Sequence, residues 1–254
     1  MKDMFVWNEY KIKWFEKAAH LTDFYEGIAR KCNERDLLNK SSNVLDVGCG
    51  LGYLSVALSP YVNSVTALDI SEEAIGFLNK KCSEQGTSNI KPITCDWKKH
   101  KPEKRYDIVF ICYCGGFGTE EFFKLARLSR KYVVGIIPTS SFGDNFGISR
   151  FFKPVKAHMK RENLSSVSDF LEQNNIVFDN IEHNCEFGQP IDSMEEYKSF
   201  MEHYFDIKDD DLLKKHSEAC LKKKGKAYYL PNIKRSNIII VENGLCSDNY
   251  KAFQ

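Results

Sequence analysis

The hydrophobic residues of the chain change their spacing near residue 44. Before that point they recur three and four positions apart, which is the repeat of an amphipathic helix. One such stripe comprises Trp7, Tyr10, Trp14, Ala18 and Leu21. A second helix is predicted over residues 23–35, and a polar linker follows at residues 39–43. Residues 1–40 are therefore interpreted as a helical lid, with ordinary core packing of the stripe as the alternative.

From residue 44 onward, short apolar strands alternate with helical stretches. The predicted strands cover residues 44–47, 64–68, 90–95, 106–112 and 132–137. Helices are expected after the first, second and fourth of these strands, a rhythm typical of βαβ units and a parallel sheet. Right-handed crossovers then place the carboxyl ends of the strands at one edge of the sheet, where open α/β sheets bind ligands.

The pattern loosens over residues 141–245, which are expected to add a cap and the last strands to the same domain. Strands predicted at residues 176–186 and 237–242 enclose helices at residues 193–205 and 210–223. We interpret the two strands as an antiparallel pair that closes the sheet. The helices between them would form the cap.

Together these patterns predict one principal α/β domain. Its core covers residues 41–140, and a mostly parallel seven-stranded sheet carries helices on both faces. The basic run at residues 222–226 follows an acidic run at residues 209–211. This arrangement is interpreted as a solvated helix with charges matched to its dipole. Residues 246–254 are interpreted as a frayed tail.

Charge limits the classes of partner. Lys and Arg number 36 against 35 Asp and Glu, so the net charge of +1 supplies no field that would attract a polyanion. Nucleic acid is therefore not the expected partner. Charged side chains within residues 2–17 interrupt any apolar run that a signal peptide or membrane span requires. We expect a cytoplasmic protein without a membrane partner.

The nine cysteines are an odd number and are scattered through apolar segments. This distribution favours reduced, mostly buried thiols over a disulfide framework. Cys112 and Cys114 form the only close pair, without a second pair at ligand spacing, so no metal site is expected.

The strongest chemical signal is a glycine-rich turn between an apolar strand and a helix. Residues 45–52 read Leu-Asp-Val-Gly-Cys-Gly-Leu-Gly, and glycines at such a turn let a ligand approach the backbone closely. Asp69 closes the next strand, 21 positions after Gly48. A carboxylate there can accept hydrogen bonds from ribose hydroxyls. The pattern indicates a cofactor that contains a nucleoside.

A nicotinamide or flavin dinucleotide is the first alternative. Its fingerprint requires a third glycine at the position that Tyr53 occupies, where the side chain is large. Asp46 would also lie near the pyrophosphate and repel it. Close to a sulfonium cofactor with a free amino group, the same charge is favourable. The acid before the glycines therefore argues against a dinucleotide.

These features resemble the cofactor motifs of the class I S-adenosylmethionine-dependent methyltransferases, over about residues 40–140. The resemblance implies a Rossmann-like fold and S-adenosylmethionine as the cofactor. It also implies that Asp69 binds the ribose, that Asp96 holds the adenine amino group, and that Ile70 and Trp97 flank the adenine; Asp96 as a plain loop residue stays open. The full set of implied cofactor contacts is Asp46, Gly48, Cys49, Gly50, Gly52, Asp69, Ile70, Asp96, Trp97 and Cys112.

The resemblance implies methyl transfer by in-line displacement, in which orientation supplies much of the acceleration and no fixed catalytic residue is required. A hydroxyl or ammonium acceptor would still need a general base. Residues 111–116, at the end of the fourth strand, should face the methyl group. The glycines at 115, 116 and 118 are interpreted as a flexible loop. The candidate substrate contacts are Tyr10, Trp14, Tyr113, Arg150, Glu186 and Gln189.

A helical cap favours an enclosed pocket and hence a small-molecule acceptor. Two alternatives stay open: a protein or RNA methyltransferase, and a catalytically silent S-adenosylmethionine-binding regulator. The acceptor atom, a general base and the oligomeric state are not determined by the sequence.

Overall fold

The central element of the structure is a seven-stranded sheet. The computed structural model describes residues 6–140, 145–152 and 162–243. Its strands are β1 (Asn43–Val47), β2 (Ser64–Asp69), β3 (Ile90–Thr94), β4 (Tyr106–Cys112), β5 (Ser129–Pro138), β6 (Asp179–Glu186), β7 (Gln189–Ile191), β8 (Lys222–Lys224), β9 (Ala227–Leu230) and β10 (Ile233–Glu242). The large sheet has the order β3-β2-β1-β4-β5-β10-β6. It is parallel from β3 to β5, and β10 runs antiparallel to β5. The predicted mostly parallel α/β sheet is confirmed.

Eight α-helices lie in the described residues. They are α1 (Glu9–Ala19), α2 (Phe24–Asn33), α3 (Tyr53–Leu58), α4 (Glu72–Gln85), α5 (Phe122–Leu128), α6 (Leu164–Gln173), α7 (Met194–Phe205) and α8 (Asp210–Cys220). Capping residues explain where such helices begin and end, as α4 illustrates. Ser71 caps α4 by accepting from the Ala74 N–H, and Gly86 ends it in the left-handed conformation.

The chain divides into two compact units, which we call the core unit and the second unit. The core unit comprises Tyr25–Ser141, Arg161–His183 and Ser236–Gln254. The second unit comprises Met1–Phe24, Phe142–Lys160 and Asn184–Arg235. In the core unit, Leu45, Val47 and Val109 from the central strands are fully buried. The core unit contains the glycine turn.

The second unit contains a small sheet that the sequence patterns did not predict. Its strand order is β7-β9-β8, and both pairs are antiparallel. The prediction of a helix through the basic run at residues 222–226 is wrong. The backbone leaves α8 at Leu221 in an extended conformation, Lys222–Lys224 pair with β9, and Gly225 forms the turn with a φ of 63°.

The amphipathic stripe predicted for α1 is confirmed at some positions and wrong at others. Trp14 and Ala18 are buried, at 2% and 3% exposure, as the pattern predicted. Tyr10 and Leu21 are exposed, at 57% and 61%. Asn8 caps α1 and the helix ends at Ala19, so Leu21 lies outside it. The predicted tail at residues 246–254 lies outside the described residues.

None of the helices in the described ranges has both the length and the apolar character needed to cross a membrane.

Candidate functional site

The glycine turn joins β1 to α3 at the carboxyl edge of the sheet. Gly48, Gly50 and Gly52 have φ angles of 65°, 52° and 73°, which are left-handed values that glycine adopts without strain. Gly48 is also closely packed, because a Cβ there would collide with the Sγ and Cβ atoms of Cys114. The turn therefore requires glycine at position 48, because its φ is positive and because Cys114 leaves no room for a side chain.

Asp46 lies at the base of this turn and is completely buried. Its Oδ2 accepts a hydrogen bond of 2.6 Å from the Ser55 hydroxyl. Its Oδ1 is buried and has no hydrogen-bond partner. Burial raises the pKa of Asp46 to about 7, and the negative charge of Asp69 raises it further, against the opposing effect of Ser55. The site thus contains an unsatisfied buried acceptor.

Asp69 ends β2 beside the same turn. Its Oδ2 accepts from the Gly50 N–H at 2.7 Å, and its Oδ1 accepts from the Ser71 N–H at 2.9 Å. Cys49 donates its N–H to the Leu68 carbonyl at 2.9 Å, which joins the turn to β2. The carboxylate of Asp69 therefore fixes the turn and the start of α4 while each of its oxygens retains a lone pair.

The residues predicted to surround an adenine ring differ in exposure. Ile70 is 50% exposed. Asp96 is partly buried and caps a short 3-10 helix at Trp97–Lys99 by accepting from the Lys98 N–H at 3.0 Å. Trp97 is buried, at 9% exposure, and belongs to the main hydrophobic cluster of the core unit. A structural role for Trp97 is therefore already evident, and Ile70 offers the more accessible apolar surface.

The end of β4 is adjacent to the turn because β4 pairs with β1. Cys112 is the last residue of the strand and is partly buried. Tyr113 follows it with a φ of 55°, an uncommon value for a residue with a side chain. Its hydroxyl lies 2.6 Å from the Ser236 hydroxyl, and its N–H donates to the Ile136 carbonyl at 3.0 Å. Such a strained position at a strand end is typical of functional sites.

Sequence reasoning missed Tyr25, in the first turn of α2. Its ring stacks on that of Tyr53, with centroids 5.8 Å apart and planes at 26°. Burial raises the pKa of Tyr25 well above its usual value, and the neighbouring Cys112, Tyr113 and Asp46 act in the same direction. Its phenol is therefore protonated and lies near the ends of both β1 and β4. A tyrosine on an amphipathic helix gives no sequence signal of such a location.

Two thiols also lie at the turn. Burial raises the pKa of Cys49 well above its usual value, with Asp46 and Asp69 adding to the effect. Burial likewise raises the pKa of Cys114 to about 12, and the carboxylates of Asp69 and Asp46 contribute. Both thiols are therefore protonated at neutral pH and poorly nucleophilic.

The remaining predicted substrate contacts lie in the second unit. Gln189 is buried, and its amide donates to the carbonyls of Trp14 and Pro190 at 3.2 and 3.0 Å. Trp14 donates its indole N–H to Glu196 Oε1 at 3.0 Å. These contacts are internal to the unit, so the residues already serve its packing.

Tyr10 and Trp14 do line a cavity of about 360 Å³ in the second unit. Glu186 accepts from the Tyr229 hydroxyl at 2.8 Å, and Arg150 is exposed. His158, another possible contact by sequence, lies outside the described residues. No three His, Cys, Asp or Glu side chains in the described part of the chain form a group that could hold a metal ion.

Comparison with known proteins finds a family match for part of the chain. Residues 44–130 match the family model described as "Methyltransferase domain". The glycine turn and strands β2, β3 and β4 lie within this segment. Over residues 44–130 the chain is therefore similar to methyltransferase domains.

Two curated methyltransferases are similar to this chain over part of their length. Malonyl-[acyl-carrier protein] O-methyltransferase 2 of Ilyobacter polytropus is 31% identical over 103 residues, 38% of this chain and 39% of that protein. Ubiquinone biosynthesis O-methyltransferase of Paraburkholderia phymatum is 28% identical over 102 residues, 40% of this chain and 36% of that protein. The chain thus matches less than half the length of these relatives.

Solved structures of the superfamily share the fold. The magnesium protoporphyrin IX methyltransferase of Synechocystis PCC 6803, with bound SAH, aligns with a TM-score of 0.54 and 13% identity. The alignment covers 94% of this chain and 89% of that one. At this level of identity the likeness establishes the Rossmann-like fold.

The glycine turn is chemically compatible with S-adenosylmethionine. The unpartnered Oδ1 of Asp46 is an acceptor suited to an ammonium group. The left-handed glycines leave the backbone free of side chains where a ligand would approach. The residues present therefore fit this cofactor.

Proposed function

We propose that the chain transfers a methyl group from S-adenosylmethionine to a small-molecule acceptor. The observation that carries the proposal is the buried Asp46 oxygen without a partner at the base of the glycine turn. A buried carboxylate oxygen without a hydrogen bond is costly unless a ligand satisfies it. The positive ammonium group of the cofactor's methionine portion would do so.

The other proposed cofactor contacts come from residues at the carboxyl edge of the sheet. Asp69 retains lone pairs for two ribose hydroxyls while it holds the N–H groups of Gly50 and Ser71. Asp96 would accept from the adenine amino group, with Ile70 against the ring. The bound cofactor supplies a methyl group on a positively charged sulfur. Cys49 and Cys112 complete the proposed contacts as neighbours of the turn and of the end of β4.

The acceptor is proposed to bind beside the end of β4. Tyr113 and Tyr25 bring two phenol groups to this place, and the phenol of Tyr25 is held protonated. Protonated phenols donate hydrogen bonds, so they orient an oxygen-bearing acceptor. Orientation at the correct distance is the main contribution that a protein makes to such a displacement. Both curated relatives are named as O-methyltransferases, which makes an oxygen acceptor the first class to test.

The proposal is tested with S-adenosylmethionine that carries a labelled methyl group. The protein is incubated with a panel of small carboxylic acids and phenols, and labelled products are detected by mass spectrometry. We expect label in at least one small molecule, loss of transfer in Asp69→Asn, and retention in Glu84→Gln, an exposed carboxylate on α4. Transfer to RNA or protein without transfer to any small molecule would contradict the proposed acceptor class.

A further inference from the structure

The loop that follows β4 is held by a carboxylate from a distant part of the sequence. Glu162, which precedes the N-cap residue of α6, accepts from the Gly116 N–H at 2.8 Å through Oε1. Its Oε2 accepts from the Phe117 N–H at 3.1 Å. Both contacts lie within the core unit. Hydrogen bonds from backbone N–H groups to an ionised carboxylate are about twice as strong as neutral ones.

The glycines of the loop make this clamp possible. Gly115 and Gly116 have φ angles of 81° and 99°, and successive N–H groups in such a turn can converge on one anion. Gly118 packs against α6, because a Cβ there would lie 2.9 Å from Val167 Cγ2. The interpretation of this glycine cluster as a flexible loop is therefore corrected: its backbone is anchored to Glu162 and to α6.

The same loop reaches the glycine turn of the proposed cofactor site. Cys114 lies against Gly48, as the collision of a Cβ on Gly48 with Cys114 shows. The carboxylate of Glu162 also contributes to the raised pKa of Cys114, after burial, Asp69 and Asp46, which indicates that it lies near the thiol. A shift of the clamped segment would therefore move Cys114 away from the turn.

We infer that Glu162 is a positioning residue of the proposed cofactor site. By holding the N–H groups of Gly116 and Phe117, it keeps Cys114 against Gly48 and keeps Tyr113 at the end of β4. Glu162 acts through the loop and touches no reacting atom. The inference rests on the proposed function, because the loop lines a cofactor site only if the cofactor binds at the glycine turn.

The test combines the Glu162→Ala variant with a carboxylate added from solution. Amide hydrogen exchange is followed by NMR, S-adenosylhomocysteine binding by calorimetry, and unfolding by thermal denaturation. In Glu162→Ala we expect the Gly116 and Phe117 amides to exchange about ten- to a hundredfold faster, given the strength of charge-assisted hydrogen bonds. We also expect about tenfold weaker binding of S-adenosylhomocysteine.

Formate should occupy the vacated position and restore both slow exchange and binding, because it presents two oxygens to the two amides. Chloride at the same ionic strength should restore neither. Glu172→Ala, which removes an exposed carboxylate from α6, the helix that follows Glu162, serves as the matched control and should behave as the parent protein.

Three results would overturn the inference. Unchanged S-adenosylhomocysteine affinity in Glu162→Ala, even with a lower unfolding temperature, would assign Glu162 to stability alone. Weak binding that formate does not restore would assign the loss to collapse of the loop rather than to the missing carboxylate. Absence of binding by the parent protein would overturn the proposed function and this inference with it, whereas the first two results leave the proposed function intact.

Discussion

Asp46 accepts a hydrogen bond of 2.6 Å through Oδ2 from the hydroxyl of Ser55, across the glycine turn. The carboxylate is otherwise enclosed, with its second oxygen unpartnered. Keeping a charge in such a place costs free energy of folding. A ligand of opposite charge would offset this cost. The buried Asp46 carboxylate is therefore the basis of the proposed function.

The first prediction is that Asp46 makes the protein less stable as the pH rises. The unfolded chain releases this proton near its ordinary value of 3.8, whereas the folded chain releases it near 7. The folded state therefore binds more protons between these values, and the free energy of unfolding falls across that window by at most roughly 1.4 kcal/mol per pH unit.

Urea denaturation at pH 5 and pH 8 measures this effect. Relative to the parent, Asp46→Asn should be more stable at pH 8 than at pH 5. The difference between the two free energies of unfolding should change by roughly a few kcal/mol, as the size of the pKa shift implies. The exposed Glu84→Gln variant should show no such change. An equal difference at the two pH values would mean that Asp46 titrates normally.

The second prediction separates two helical glycines. Gly27, in α2, is buried, and a Cβ there would lie 2.7 Å from His183 Cε1. Gly76, in α4, has open space at the same position. We expect Gly27→Ala to lower the free energy of unfolding by about 1–3 kcal/mol through overpacking. Gly76→Ala should raise it by up to about 1 kcal/mol through helix propensity. Chemical denaturation of both variants checks the prediction, and stabilisation by Gly27→Ala would contradict the packing seen here.

The third prediction concerns two glycines with positive φ. Gly115→Ala would meet no atom within 4 Å, so it bears only the backbone strain of its φ of 81°. Gly48→Ala has similar strain and also collides with Cys114. Gly115→Ala should therefore cost about 1 kcal/mol of stability, and Gly48→Ala more than that. Gly48→Ala should also weaken S-adenosylhomocysteine binding at least tenfold in calorimetry, whereas equal affinities of the two variants would contradict a role for the turn.

The fourth prediction tests a buried histidine of the second unit. His216 is fully buried, with Nδ1 at 2.6 Å from the Tyr197 hydroxyl and Nε2 at 2.8 Å from the Phe146 carbonyl. His216→Phe removes both bonds and leaves a buried carbonyl without this donor, so we expect a loss of about 2–4 kcal/mol. Lys215→Ala, on the exposed side of the same helix, should change stability by less than about 0.5 kcal/mol. Thermal and urea unfolding distinguish the two.

The sequence predicted the parallel half of the sheet well because its strands are short apolar runs, and helices follow β1, β2 and β4. The glycine turn was equally clear, since its acid, glycines and following strand occur in a fixed order. The small sheet of the second unit was missed, because Lys222–Lys224 carry no apolar alternation and all three residues are exposed. Their pairing with β9 is a tertiary contact that no local pattern encodes.

The rest of the candidate site could not be read from the sequence for a related reason. Glu162 contacts the loop after β4 from a segment 46 residues later in the chain, and Tyr25 comes from the helix that precedes β1. Glu162 forms hydrogen bonds to backbone N–H groups, which every residue possesses and no motif marks. Trp97 belongs to the hydrophobic core cluster, and its contact with an adenine ring stays a prediction.

The most direct test of the proposed function is calorimetric titration of the protein with S-adenosylhomocysteine, with NADH in parallel. The proposed function predicts micromolar binding of S-adenosylhomocysteine that is lost in Asp46→Asn and in Asp69→Asn, is retained in Glu84→Gln, and has no counterpart for NADH. Binding of NADH at the same turn, or no binding of S-adenosylhomocysteine, would contradict it.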